Sequence, residues 1–283
     1  KPRIYFDNDY IFQSEYREAF ENSNLIADFS FNRNENTSTH IFAELDGEFD
    51  DDSSYKIQIQ NVTNDNYLKI HNFQENTQLI ESDSTLSSYL NFEKNIDEDT
   101  SFESTIKVYE DLSKEDSDKY QYIFPDFNFK KNMSLDKSYN GNFEFLSTGF
   151  QKVYETNKYE ALISNDFNFS SLDFVSSRGI ISDYAFLLKN FNTYSENSSV
   201  YEDKNDHEIF STFLIKTELP LKKELENSKN FLKPILQLRI SPTNGKNISS
   251  SDTRIEFDNI FSPNRIGRSD MVEKGNSVTF GLE

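Results

Sequence analysis

Three histidines, 49 acidic residues and a small group of arginines are the side chains through which this sequence could do chemistry. His40 and His71 each precede a glutamate by four residues, Glu44 and Glu75. On a helix that spacing puts both groups on one face, where they could share a metal ion. The flanking residues alternate as a strand instead, and four residues along a strand span about 13 Å, too far for one ion. His207 follows an acidic loop and has no partner in the sequence pattern. Asp7-Asn8-Asp9 and Asn64-Asp65-Asn66 offer oxygen ligands. They lack the glycine and terminal glutamate of a calcium loop, so they read as turns. Acids are too abundant to single out a glycosidase pair. There is no nucleophile elbow, phosphate loop or dinucleotide fingerprint. With no cysteine, disulfides, thiol catalysis and thiolate zinc sites are all removed. The expectation is a non-enzyme with no metal and no cofactor.

Arg254, Arg265 and Arg268 stand close in sequence in a chain that otherwise prefers lysine. Two readings stay open for them. One is ion pairing within a loop. The other is contact with phosphate or carboxylate groups of an anionic lipid, which suits the planar guanidinium fork.

The elements that must position these groups are strands. Leu25, Ala27, Phe29 and Phe31 alternate with polar neighbours, as do Ile41, Ala43 and Leu45, then Tyr55, Ile57 and Ile59. The pattern returns in Phe102–Val108, in Leu236, Leu238 and Ile240, and in Val278, Phe280 and Leu282. An amphipathic helix would space apolar residues three and four apart, and these segments do not. Asn-, Asp-, Ser- and Gly-rich clusters separate them. The count is roughly a dozen strands of about 7–15 residues, longer than soluble strands and of the length a tilted membrane strand needs. Pro125, inside Tyr120–Lys130, predicts an edge, a bulge or a strand end.

Composition narrows the class. Hydrophobic residues make up 35%, yet 27 Phe and 15 Tyr bring aromatics to 15%, which argues against disorder. The net charge of −20 and the absence of any basic run longer than two residues exclude nucleic acid as a partner. The runs Asp50-Asp51-Asp52 and Asp97-Glu98-Asp99 read as solvated loop charge, or as divalent-cation attraction at a membrane surface. No apolar run is long enough for a transmembrane helix. Lys1-Pro2-Arg3 reads as a cut or processed start.

A set of short segments then points to a family. It begins with Glu15-Tyr16-Arg17 before Phe20, Asn66-Tyr67-Leu68 and Tyr120-Gln121-Tyr122-Ile123-Phe124-Pro125. It continues through Leu219-Pro220-Leu221 and Leu232-Lys233-Pro234. The last match runs from Phe261 through Asn264-Arg265-Ile266 and Asp270 to Gly275-Asn276-Ser277-Val278-Thr279-Phe280-Gly281-Leu282. In this order the segments resemble the outer-membrane lipopolysaccharide-assembly proteins of the LptD, or organic-solvent-tolerance, family, in an alphaproteobacterial-like form. The resemblance implies a large transmembrane β-barrel that receives lipopolysaccharide from periplasmic lipid-bridge proteins and releases it into the outer leaflet. It also implies an LptE-like plug lipoprotein as partner. Residues 1–283 would then be a partial outer-membrane barrel domain, without the family's N-terminal jelly-roll and the remaining strands.

The fold expected is all-β, an antiparallel meander forming part of that barrel. Ile57, Ile59, Leu236, Leu238 and Ile240 are expected to face lipid, and Lys56, Gln58, Gln237 and Arg239 the lumen. Ser241–Glu273 is expected as a rim loop that carries the three arginines toward lipid phosphates. Two other classes fit the composition. One is a different outer-membrane barrel, such as a porin or receptor. The other is a soluble acidic β-protein that binds carbohydrate or calcium.

Overall fold

The computed structural model describes residues 2–4, 10–33, 37–73, 79–135, 140–225, 228–244 and 254–283. Asp7-Asn8-Asp9 and Glu75 lie outside them. The chain is built of strands: β1 (Pro2–Ile4), β2 (Tyr10–Ala19), β3 (Ser23–Arg33), β4 (Thr37–Asp50), β5 (Ser53–Val62), β6 (Thr85–Asp97), β7 (Thr100–Asp111), β8 (Tyr120–Leu135) and β9 (Gly141–Tyr154). There follow β10 (Lys158–Ser171), β11 (Phe174–Val175), β12 (Ile181–Glu196), β13 (Asn205–Glu218), β14 (Leu221–Leu225), β15 (Ser228–Leu232), β16 (Pro234–Ser241) and β17 (Gly275–Leu282). Among the described residues the short helix α1 (Tyr67–Ile70) and a 3-10 turn, Asp116–Lys119, interrupt them.

The main sheet follows chain order from β1 to β10, then β12, β13, β16 and β17, with β11 paired to β12. It is an antiparallel meander, as the alternation predicts. β14 and β15 form a separate hairpin. Of the edge, bulge or strand end expected at Pro125, the edge and the strand end are not found: it lies inside the 16-residue β8, one backbone donor short, and β8 sits between β7 and β9. The tight turn between β9 and β10 places Glu155 and Asn157 at φ 49° and 64°. Asn tolerates this left-handed region better than most residues, which explains one of the two choices. Two compact units result: Lys1–Phe129 with Gly149–Leu162 and Tyr194–Lys204, and Lys130–Thr148 with Ile163–Thr193 and Asn205–Glu283.

In the first unit, the register sorts side chains into two opposite faces. Phe12 lies opposite Phe31, Phe29 opposite Ile41, Ala43 opposite Ile59, and Ile57 opposite both Leu45 and Leu90. The other face pairs Gln13 with Ser30, Ser30 with His40, Glu44 with Gln58 and Lys56 with Asn91. Ile41 and Ile59 are 50% and 53% exposed, whereas Asp28, Ser30 and His40 have no exposed surface. The apolar face is outside and the polar face is covered, the reverse of a soluble sheet.

The segment between β5 and β6 provides that cover. Tyr67 and Leu68 of α1, with Phe73, Leu79 and Ile80, join Ile11, Phe42, Val62, Leu86 and Leu112 in one buried cluster. Lys119 ties this segment to the next loop, its Nζ 2.7 Å from Asp65 and 3.1 Å from Glu110. The hydrogen bond from Asp65, more than any other contact, raises the Lys119 pKa above its ordinary 10.5. Such a raised lysine contributes fully below its ordinary value, and the contribution is lost as pH rises through the folded one.

Two outcomes are expected. Leu68→Ala should cost about 2–5 kcal/mol, as for other buried leucines, read as faster hydrogen exchange over residues 63–73. An unchanged exchange rate would mean the segment is held by its polar contacts alone. Protection of the same residues, taken relative to the intrinsic base-catalysed rate, should also fall above pH 10.5 in the wild type, with Lys119→Met poorly protected at every pH. A wild type indifferent to alkali would remove the tether from the account.

Candidate functional site

The sheet's polar face holds the side chains that can bind or position. In the first unit Gln13 Nε2 donates to both Asp28 oxygens, at 3.0 and 3.2 Å. His40 Nε2 lies 3.2 Å from Asp28 Oδ1, and its Nδ1 is 2.6 Å from Ser30 Oγ. The Tyr67 hydroxyl closes the chain at 2.9 Å from Ser30. The atom types are those of a nucleophilic triad. Ser30 has no exposed surface, though, and its hydroxyl is already engaged on both sides, so no carbonyl can reach it. The chain of bonds is a tether from wall to inner segment. Glu160 works similarly, accepting from Tyr154 at 2.7 Å and from Ser198, on the loop after β12, at 2.6 Å.

In the second unit β16 splits cleanly. Leu236, Leu238 and Ile240 are exposed, while Ile235, Gln237, Arg239 and Ser241 are buried. Residues 254–274, which precede β17, lie over this buried row. Arg239 has no exposed surface. Its Nε donates to Pro263 O at 3.0 Å, its Nη1 to Gly275 O at 3.2 Å, and its Nη2 to Glu273 O and, at 3.5 Å, to Thr212 Oγ1. Met271 and Val272 are buried with it. A Cβ on Gly281 would stand 2.7 Å from the Phe261 ring, so only glycine admits that ring against β17. On β12, Lys189 Nζ reaches both Asp166 oxygens at 2.6 and 2.7 Å. An open cleft of about 480 Å³ is lined by Leu187 and Pro263, with Glu144 and Asn168 as polar members.

The expected rim loop is therefore, over its described residues, an inner segment pressed on the sheet. It has apolar residues of its own to bury, and Arg239 needs its carbonyls. Arg265 makes a two-pronged pair with Glu273, with 2.7 Å from Nε to Oε2. Arg268 pairs with Asp270 at 2.7 and 2.8 Å. Arg254 is exposed, and its carbonyl accepts from Asn259 at 2.8 Å. The ion-pairing reading thus describes Arg265 and Arg268. His40 on the wall meets the inner segment, and His71 belongs to that segment, its Nε2 3.3 Å from Asn32 of β3. His207 lies elsewhere, 2.9 Å from Asn192. Among the described residues no group of three or more His, Asp or Glu forms a metal site. Sequence reasoning placed Arg239 on the polar face without seeing its role. The available signal was a lone charge in an otherwise uncharged strand, Pro234–Ser241.

The opposite face of this unit is aromatic. Phe145 and Phe167 have ring centroids 4.8 Å apart, Phe169 and Tyr184 5.5 Å, and Phe174 and Tyr184 6.0 Å. Aromatic bands on an outward face flank the apolar belt of outer-membrane barrels. No helix among the described residues is long and apolar enough to cross a membrane, which says nothing of strands.

No curated protein matches the chain. The family model for LptD, described as LPS transport system D, matches residues 35–283. The match covers most of the sequence and agrees with the all-β antiparallel sheet. The chain belongs to the LptD family, whose members serve lipopolysaccharide transport and assembly at the outer membrane.

Proposed function

We propose that residues 1–283 form part of the barrel wall that inserts lipopolysaccharide into the outer leaflet. The observation carrying this reading is the inverted sheet: exposed Phe12, Phe29, Ile41 and Ile59 on one face, buried Asp28, Ser30 and His40 on the other. A wall between lipid and a polar lumen needs that arrangement. β2 to β10, β12 and β13 run 10–16 residues each. Strands of about 9–11 residues suffice to cross the hydrocarbon core. The wall does no covalent chemistry; it offers an amphipathic lipid a polar path beside an apolar one.

In this reading the lumen also seats an LptE-like plug lipoprotein, and an upstream domain receives the lipid from the periplasmic bridge. Long connections of such barrels lie on the extracellular side. That puts the segments after β5 and β16 near the outer surface. Arg254, Arg265 and Arg268 would meet lipid phosphates there. Arg265 and Arg268 would exchange Glu273 and Asp270 for phosphate oxygens of the same two-pronged geometry.

Nitroxide labels at positions 57 and 58 of the full parent chain in bilayers test the wall. A lipid-soluble quencher should reach position 57 and a water-soluble one position 58; equal access to both quenchers would sink the assignment. Replacing Arg254, Arg265 and Arg268 together by Gln should lower surface delivery of lipopolysaccharide while assembled protein stays at wild-type level. Normal delivery would return these arginines to the role of loop ion pairs.

A further inference from the structure

Arg239 is a buried guanidinium that no carboxylate meets directly among the described residues, with the Glu273 carboxylate the nearby negative charge that acts on it. Its partners are neutral: the carbonyls of Pro263, Glu273 and Gly275 and the hydroxyl of Thr212. Among the described residues no carboxylate pairs with it, and the nearby Glu273 carboxylate is taken by Arg265. Burying a charge in this state is costly, and an anion placed against it would recover much of that cost. Two further donors stand beside it unpaired among the described residues. Gln237 is 2% exposed, and neither its Nε2 nor the buried Ser277 Oγ has a hydrogen-bond partner there. Gln237 lies two residues from Arg239 on the same face of β16, about 7 Å away along the strand. Ser277 lies directly across from Arg239 on β17, where opposed side chains start about 5 Å apart. Buried polar groups are rarely left unpaired, and each such group calls for an explanation.

We propose that Arg239, Gln237 and Ser277 form an anion site for a phosphate group, covered at rest by residues 254–274. The carbonyls of Pro263 and Glu273 occupy the positions that phosphate oxygens take when this cover lifts, while that of Gly275 stays with β17. The cover meets the sheet through Arg239, which donates to the carbonyls of Pro263 and Glu273, and through the apolar seat of Phe261 on Gly281. Phosphate supplies the charge that the carbonyls lack, and its several oxygens can serve the guanidinium, the amide and the hydroxyl together. The phosphate comes either from a lipid headgroup or free from solution. Assigning it to the transported lipid rests on the transport reading above; the anion site itself does not.

The test uses the full parent chain in detergent, as wild type, Gln237→Met and Ser277→Ala. Each is titrated with inorganic phosphate, with a phosphorylated disaccharide glycolipid in mixed micelles, and with that glycolipid after phosphate removal. Each variant deletes a buried donor that is unsatisfied at rest, the Gln237 amide nitrogen or the Ser277 hydroxyl, so both should fold with thermal midpoints close to wild type. Each should weaken phosphate-dependent binding about tenfold, the effect of losing one hydrogen bond to a charged acceptor. Tighter binding of the phosphorylated glycolipid than of inorganic phosphate assigns the headgroup; equal binding assigns free phosphate. Identical binding by wild type and both variants, or full binding of the dephosphorylated glycolipid, overturns the site. Lipopolysaccharide delivery by the same chains in cells is scored separately. Failure of wild type to deliver refutes the transport reading and leaves the binding result standing.

Discussion

Each strand of this sheet must satisfy its backbone sideways while its side chains meet two different media. Lateral hydrogen bonding removes the backbone from the problem, because every N–H and C=O of an interior strand has a partner on the next one. The two-residue period then sends alternate side chains to opposite faces. Phe29 and Ile41 can therefore share a row while Ser30 and His40, one residue along, share the other. A slip of one residue would put Asp28 among the phenylalanines and Phe29 among the buried polar groups. The register is fixed by that penalty, and the faces follow from it.

A single sheet with its apolar face outward has no ordinary core, so the inner segments supply one. After β5 the chain turns back to bury Tyr67, Leu68 and Phe73 against Phe42 and Val62. Before β17 it turns back to bury Met271 and Val272 over Gln237 and Arg239. In both places apolar packing is joined to a polar anchor on the wall, Ser30 with His40 in one and Arg239 in the other. The anchors explain how charged and polar side chains survive burial there. Asp28 receives donors from Gln13 and His40, and Lys189 is neutralised by Asp166. Buried ionic groups persist when their hydrogen bonds are filled. Arg239 fills its bonds but keeps its charge.

Much of this was written in the alternation itself. Leu236, Leu238 and Ile240 against Gln237 and Arg239 gave the two faces of β16, and the ordered short segments gave the family. What alternation cannot carry is the path of a long connection. Residues 254–274 read as a polar, turn-rich loop because their apolar members, Phe261, Met271 and Val272, have no regular period. Their burial depends on Gly281 and Arg239, which are distant in sequence and become neighbours only through the β16–β17 register. His40 was legible only as a strand residue for the same reason. Its partners Asp28 and Ser30 lie on the preceding strand, and the cap over it comes from α1.

The chain carries a charge of −20, and its family handles an anionic lipid. Long-range attraction therefore cannot draw that lipid to this wall. At physiological salt, charges more than about 8 Å away are largely screened, so the excess acid is a weak obstacle as well as a weak aid. What remains is contact at single points. Of the eight arginines, four fall between 239 and 268, whereas lysines are spread along the chain. Guanidinium is less strongly hydrated than ammonium and presents a rigid fork, so it can enter a buried site that lysine would resist. Lysine could not have replaced Arg239: three carbonyls and a hydroxyl lie around one planar group, and an ammonium has three donors from a single atom. The planar fork that locks the inner segment thus has the geometry that suits a phosphate as well as carbonyls.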